Sequence, residues 1–178
     1  MPKSNTDIPF ARTYWVVPGQ FLAGEHPVEP DESVTMARLT ALLGVGTRTF
    51  VDLTEERERM EDYSGLLRTL AANTQTNVTT TRIPIPDRGI PSVAAMRNIL
   101  DLIDDSLAIG HPVFLHCFAG VGRTGTVVGC HLRRHGRATA QDVISKICDL
   151  RRFMPGGNEI SPQTPRQIQM VEEWQPGS

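Results

Sequence analysis

The strongest constraint on this chain is a change of texture across residues 112–125. The short apolar run Pro112-Val113-Phe114-Leu115 leads straight into His116-Cys117-Phe118-Ala119-Gly120-Val121-Gly122-Arg123-Thr124-Gly125. An apolar run of this length that ends in glycines predicts a buried strand entering a tight loop, with a helix beginning near Arg123. The glycines let the backbone curl so that successive N–H groups point inward and form an anion-binding nest. The helix start adds unsatisfied N–H donors and a positive dipole end. Arg123 can grip two oxygens of a tetrahedral anion with its planar fork. Cys117 sits at the bottom of this cradle, where the field favours its thiolate, a nucleophile that needs no dedicated base.

The rest of the chain supplies alternating strand and helix patterns. Residues 13–17 and 20–23 predict two short strands around the Pro18-Gly19 turn. A helix is predicted over 31–43 with Asp31 as N-cap and Gly44 at its end. Strands are predicted at 49–53, 78–83 and 112–116. Helices are predicted at about 92–107, 123–135, 139–151 and 162–174, and an amphipathic stretch follows the charged segment 55–61. Three prolines in Ile83-Pro84-Ile85-Pro86-Asp87-Arg88-Gly89-Ile90-Pro91 exclude a regular element and predict a stiff loop. The expected fold is α/β: one domain with a central, mostly parallel sheet of about four to five strands flanked by helices. Residues 1–9 are expected to form a flexible arm before a domain spanning 10–178.

Composition narrows the function classes. The chain has 178 residues, enough for one domain with a sizeable core. Its net charge of −2 provides no global field for nucleic acid or anionic lipid. Cys117, Cys130 and Cys148 are odd in number and irregularly spaced, which fits neither a disulfide framework nor a zinc pattern. They suggest a reducing compartment. The polar start lacks a signal-peptide pattern, and no segment approaches the roughly 18 apolar residues of a membrane span. A soluble, cytoplasmic monomer without nucleic-acid or membrane partners is expected.

His116-Cys117, Gly120, Arg123 and Thr124 match the HCxxGxxR[ST] signature of the cysteine-dependent protein tyrosine phosphatase superfamily. The chain resembles its dual-specificity branch, loosely from about Tyr14 to Trp174. The resemblance implies a dual-specificity-phosphatase-like fold and a two-step phosphomonoester hydrolysis through a phosphocysteine, without cofactor or catalytic metal. It implies Cys117 as nucleophile and Arg123 with the backbone of Phe118, Ala119, Gly120, Val121 and Gly122 as phosphate cradle. It further implies Thr124 as the hydroxyl that assists sulfur departure, and His116 as a residue that orients the loop. Asp87, 30 residues before Cys117 on the proline-rich loop, resembles the general acid of the superfamily. Asp87 also suits an ordinary Pro-Asp-x-Gly turn, and Asp52 and Asp101 are rival acids.

Ser161-Pro162-Gln163-Thr164-Pro165-Arg166-Gln167 is similar to a segment of some small family members. There Gln163 or Gln167 would line the pocket or position water, or would simply open a capped helix. Arg88, Arg151 and Arg152 are candidate contacts for an acidic phosphopeptide. His131 and His135 have metal-compatible helical spacing, but the sequence shows no third ligand, which favours packing roles. The loop 118–122 has no lysine, unlike phosphoinositide phosphatases. A pocket accepting phosphotyrosine, and possibly phosphoserine or phosphothreonine, in a protein is therefore expected. The alternatives are a phosphatase for a soluble inositol phosphate or nucleotide and a catalytically silent phosphate-binding module.

Overall fold

The computed structural model describes residues 7–58 and 61–178. Most of the expected N-terminal arm, residues 1–6, lies outside this range. Among the described residues, five strands form one sheet: β1 Thr13–Val17, β2 Phe21–Gly24, β3 Thr49–Asp52, β4 Thr79–Arg82 and β5 Val113–His116. Their spatial order is β1-β2-β5-β3-β4. Only β1 and β2 pair antiparallel; β2–β5, β5–β3 and β3–β4 are parallel.

Strand alternation builds two cores, one on each face of the sheet. Tyr14, Val16, Phe21, Ala23, Val51, Val113 and Leu115 point to one face. There they meet α3 Val93–Ala108, α4 Gly122–Arg134, α5 Val143–Arg151 and α6 Pro165–Glu173. Trp15, Leu22, Phe50 and Phe114 point to the other face, under α1 Glu32–Gly44 and α2 Ser64–Asn73. Burial on both faces explains why β5 reads as a continuous apolar run. The threonine-rich β4 is the partly exposed edge.

Helix boundaries follow side-chain caps. Asp31 accepts from Ser33 N at 2.9 Å, and Ser92 accepts from Ala95 N at 3.1 Å. The fifth helix starts at 143, later than its pattern predicts, because Thr139 and Asp142 bond each other reciprocally and hold 139–142 as a turn. The last helix starts at Pro165 behind a capping box formed by Thr164 and Gln167. Residues 162–164 remain loop.

The topology sets the position of the site. The chain passes from β2 to β3 and leaves a gap that β5 fills later. The loops after β5, β3 and β4 therefore emerge together at the carboxyl edge of the sheet, where open α/β sheets bind ligands. Among the described residues, no helix is long and apolar enough to cross a membrane.

α4 is buried along almost its whole length, and its glycines let neighbours approach. A Cβ on Gly129 would lie 2.5 Å from Val171 Cγ1 and 3.1 Å from Ile147 Cδ1. Helix propensity alone favours Gly129→Ala by about 1 kcal/mol. Overpacking opposes it with about 1–3 kcal/mol. Gly129→Ala is therefore expected to lower the urea midpoint; an unchanged or higher midpoint would show that α6 gives way freely.

Candidate active site

β5 ends at His116, and Cys117 to Val121 reverse the chain into α4. Gly120 turns at φ +69°, and a Cβ there would sit 2.5 Å from the Gly24 carbonyl carbon. Only glycine meets both the dihedral and the clearance. The loop's carbonyls are held from behind: His26 N donates to Phe118 O (3.1 Å) and Ser161 Oγ donates to Val121 O (2.7 Å). Among the described residues, the N–H groups of Phe118, Ala119, Gly120 and Val121 donate to no protein acceptor. Val121, the N-cap of α4, makes no side-chain cap bond. Loop amides and helix start together form an anion receptor.

Cys117 is 3% exposed at the floor of a cavity of about 210 Å³. Arg123, Ala119 and Gly122 complete the floor, and Asp87, Arg88, Phe118 and Gln163 form the rim. Pockets that enclose a whole small molecule run to roughly 300–1,000 Å³. This one suits a phosphate group with most of its carrier outside.

Arg123 is buried and held by two loops, the one after β3 and the one after β4. Its Nη1 and Nη2 donate to Glu58 Oε1 and Oε2 at 2.5 and 2.9 Å. Nη1 also reaches the carbonyls of Ile85 (3.3 Å) and Leu53 (3.5 Å), and Nη2 lies 3.3 Å from Asp87 Oδ1. Burial opposes the guanidinium charge, but the Glu58 bond, the Cys117 sulfur and the neighbouring carboxylates outweigh it. Glu58 in turn is held below the usual carboxylate range by its bond to Arg123, despite partial burial. The charged segment 55–61 contains four glutamates with no sequence mark that favours one of them. Glu58 was therefore not legible as a site residue.

Asp87 stands at the mouth with its side chain 60% exposed. Its loop is tied down: Asp87 N donates to Glu55 Oε2 (3.1 Å), Gln167 Nε2 to Gly89 O (2.9 Å) and Thr164 Oγ1 to Arg88 O (3.4 Å). The structure thus brings Cys117, Arg123 and Asp87 to one cavity. The two glutamines divide their tasks. Gln163 reaches the rim, while Gln167 is wholly buried and its Oε1 accepts from Gln163 N and Thr164 N at 3.1 Å each.

Thr124 is buried, and among the described residues its hydroxyl has no hydrogen-bond partner. His116 lies behind the loop. Its Nε2 is 2.6 Å from Tyr63 Oη, and its Nδ1 is 3.4 Å from the Cys117 carbonyl. A carbonyl only accepts, so Nδ1 carries the proton and Nε2 accepts from the tyrosine. Burial pushes His116 below its ordinary value despite Asp52, and burial pushes Tyr63 up. The pair is a neutral support, and Phe114 stacks on the imidazole with a 5.3 Å centroid separation.

The rival acids fall away. Burial pushes Asp52 up, but both Thr54 donors and the Arg82 guanidinium at 2.8 Å outweigh it and hold the carboxyl below its ordinary value behind the loop. Asp101 is exposed on α3 and paired with Arg134. Arg151 is wholly buried, donating to Glu159 O at 2.7 Å, so it is no substrate contact. Arg88 alone of the three suggested arginines lines the cavity. Cys130 is a core residue whose thiol is pushed far up by burial, and neither it nor Cys148 lines the cavity.

Residues 28–137 match the family model Tc-R-P, described as "Polymorphic toxin system, DSP-PTPase phosphatase". The chain is similar to mouse dual specificity protein phosphatase CDC14B, 35% identical over 78 residues. That match covers 44% of this chain and 15% of CDC14B, so the chain spans only a small part of that relative's length. Its fold is similar to that of Tk-PTP in the active form, with a TM-score of 0.70 and 22% identity over 92% of this chain and 95% of the other. It is also similar to PTPMT1 in complex with PI(5)P, with a TM-score of 0.65 and 20% identity over 87% and 89%. The chain therefore belongs to the DSP-PTPase phosphatase family, a dual-specificity-like member of the cysteine-dependent protein tyrosine phosphatase superfamily.

Proposed function

We propose that the protein hydrolyses phosphotyrosine, and also phosphoserine and phosphothreonine, in protein substrates through a phosphocysteine intermediate. The observation that carries this reading is the convergence of Cys117, Arg123 and Asp87 on one cavity above unpartnered loop amides. The Cys117 thiolate attacks phosphorus in line, forming the S–P bond as the ester P–O bond breaks. Asp87 gives its proton to the departing oxygen. The amides of 118–122 and the Arg123 fork stabilise the equatorial oxygens, the dominant contribution in phosphoryl transfer. In the second step Asp87 takes a proton from water. The oxygen attacks phosphorus, the S–P bond breaks, and phosphate leaves with the thiolate restored. Thr124, whose buried hydroxyl has no partner among the described residues in the resting site, turns to donate to the sulfur as it departs.

Three features support a protein substrate. The cavity is small, the loop 118–122 has no cationic side chain, and Phe118 is 58% exposed at the rim as an apolar platform. Among the described residues that line the cavity, a multiply charged inositol phosphate would find Arg88 as the one cation beside Arg123. A panel of phosphopeptides, inositol phosphates and nucleotides tests this choice. Faster turnover of an inositol phosphate or nucleotide than of every phosphopeptide would overturn it.

Cys117→Ser is expected to abolish turnover of an aryl phosphate, while the unmodified protein keeps its rate in EDTA. Residual activity in the serine variant, or loss in EDTA, would contradict the cysteine mechanism. Asp87→Ala should lose roughly 10²–10⁴-fold in kcat on phenyl-type esters. The loss should shrink for activated aryl esters, whose leaving groups need no proton. A loss independent of the leaving group would place the acid elsewhere.

Glu58 acts as a positioning residue for Arg123. Glu58→Gln should lower kcat/KM on the order of 10²-fold, because a shift of about 1 Å in a transition-state contact has that effect. Unlike the Asp87 variant, it should lose equally on good and poor leaving groups, and it should bind inorganic phosphate more weakly. Unchanged phosphate affinity would remove this role.

A further inference from the structure

The two histidines of α4 acquire a partner that their spacing alone does not reveal. His131 and His135 lie one turn apart on the same face of the helix, and α3 packs Asp104 against them. One ligand atom from each of the three lies within 4.8 Å of the others. Asp104 Oδ1 is 2.9 Å from His135 Nε2 and 3.9 Å from His131 Nδ1. Tetrahedral zinc with ligand bonds of about 2.0–2.1 Å separates its donors by roughly 3.3 Å. The observed spacings bracket that value.

A second observation points to a ligand. His131 is 1% exposed, yet among the described residues neither of its ring nitrogens has a hydrogen-bond partner. Buried polar atoms are nearly always satisfied, so an imidazole orphaned at both nitrogens calls for a further partner.

We propose that Asp104, His131 and His135 form a binding site for a divalent transition metal, zinc by the chemistry of its donors, that fastens α3 to α4. Two imidazoles and one carboxylate suit zinc. Asp104 divides its oxygens: Oδ1 faces the histidines, while Oδ2 faces Arg134 Nη1 at 3.5 Å. Arg134 thus orients the carboxylate from behind, and Asp101 offsets its charge. In the metal-free form His135 Nε2 donates to Asp104; on binding, its ring proton shifts to Nδ1 and Nε2 turns its lone pair to the metal. Asp104 and His135 are partly exposed, which gives the ion an entry path and leaves a fourth position for water. The site lies about 14 Å along α4 from Gly122, the start of the phosphate loop's helix. It therefore acts on stability and is separate from the hydrolysis.

The test is titration of the full chain with Zn²⁺ by calorimetry and thermal unfolding. It uses a Cys117→Ser background, so that the active-site thiolate takes no metal. One equivalent is expected to bind and to raise the Tm, and Co²⁺ is expected to give a d–d absorption band of tetrahedral intensity. Asp104→Asn and His135→Gln, both at partly exposed positions, should each weaken binding at least roughly tenfold. Their metal-free circular dichroism should stay native. In the Cys117 protein, His135→Gln should retain full phosphatase activity. Absence of Zn²⁺ binding, or equal affinity in both variants, would overturn the proposal.

Discussion

The site depends on the close backbone approach at the reversal between β5 and α4. Gly120 must take a left-handed conformation and press against the Gly24 carbonyl, which no Cβ allows. That contact lets the loop carbonyls face backward, onto His26 N and Ser161 Oγ, and leaves the amides facing the cavity. A loop with its carbonyls inward would repel the same anion. The central position of β5 between β2 and β3 then determines which other loops can reach it.

A buried cation is the second requirement, and burial by itself opposes it. Arg123 is 2% exposed, a position that a lone guanidinium would occupy at great cost. Glu58 offsets that cost with a two-point bond, and the carbonyls of Leu53 and Ile85 take further contacts. The same contacts remove rotamer freedom, so the arginine is oriented before any phosphate arrives. Behind the loop, the neutral His116–Tyr63 pair supports Cys117 without adding charge. Asp87, by contrast, is tied by its backbone, while its carboxyl is mostly exposed and meets Arg123 Nη2 at 3.3 Å, which suits the proton exchange proposed for it.

Legibility in the sequence follows the range of the interaction that sets each feature. The strand, glycine loop and helix around Cys117 were readable because the requirement is local. Cys117, Arg123 and the glycines lie within one turn of chain, and each residue type has a local conformational or chemical reason. Asp87 was singled out by its proline-rich loop and by its distance from Cys117, which resembles that of the superfamily's general acid. Glu58 was not, since its distinction from Glu55, Glu56 and Glu61 arises only where the loop meets Arg123, 65 positions later. Gln167 was placed in the right neighbourhood, but its burial as a link between the last helix and the Asp87 loop depends on packing. Arg151 looked like a surface cation and is interior, because Glu159 and Gly156 offer it carbonyls.

The sequence by itself determined the alternation of strands and helices, the anion-binding turn and the cysteine at its start, because each rests on residues adjacent in the chain. Tertiary structure decided which carboxylates meet Arg123. It also decided that Asp52 stays ionised behind the loop, and that Asp104 joins His131 and His135 across a helix pair. Such groups come together through sheet order and helix packing, which act over tens of residues and leave no pattern at any one position. Charge pairing, desolvation and ligand geometry all depend on distances of a few ångströms, and the fold alone sets those distances.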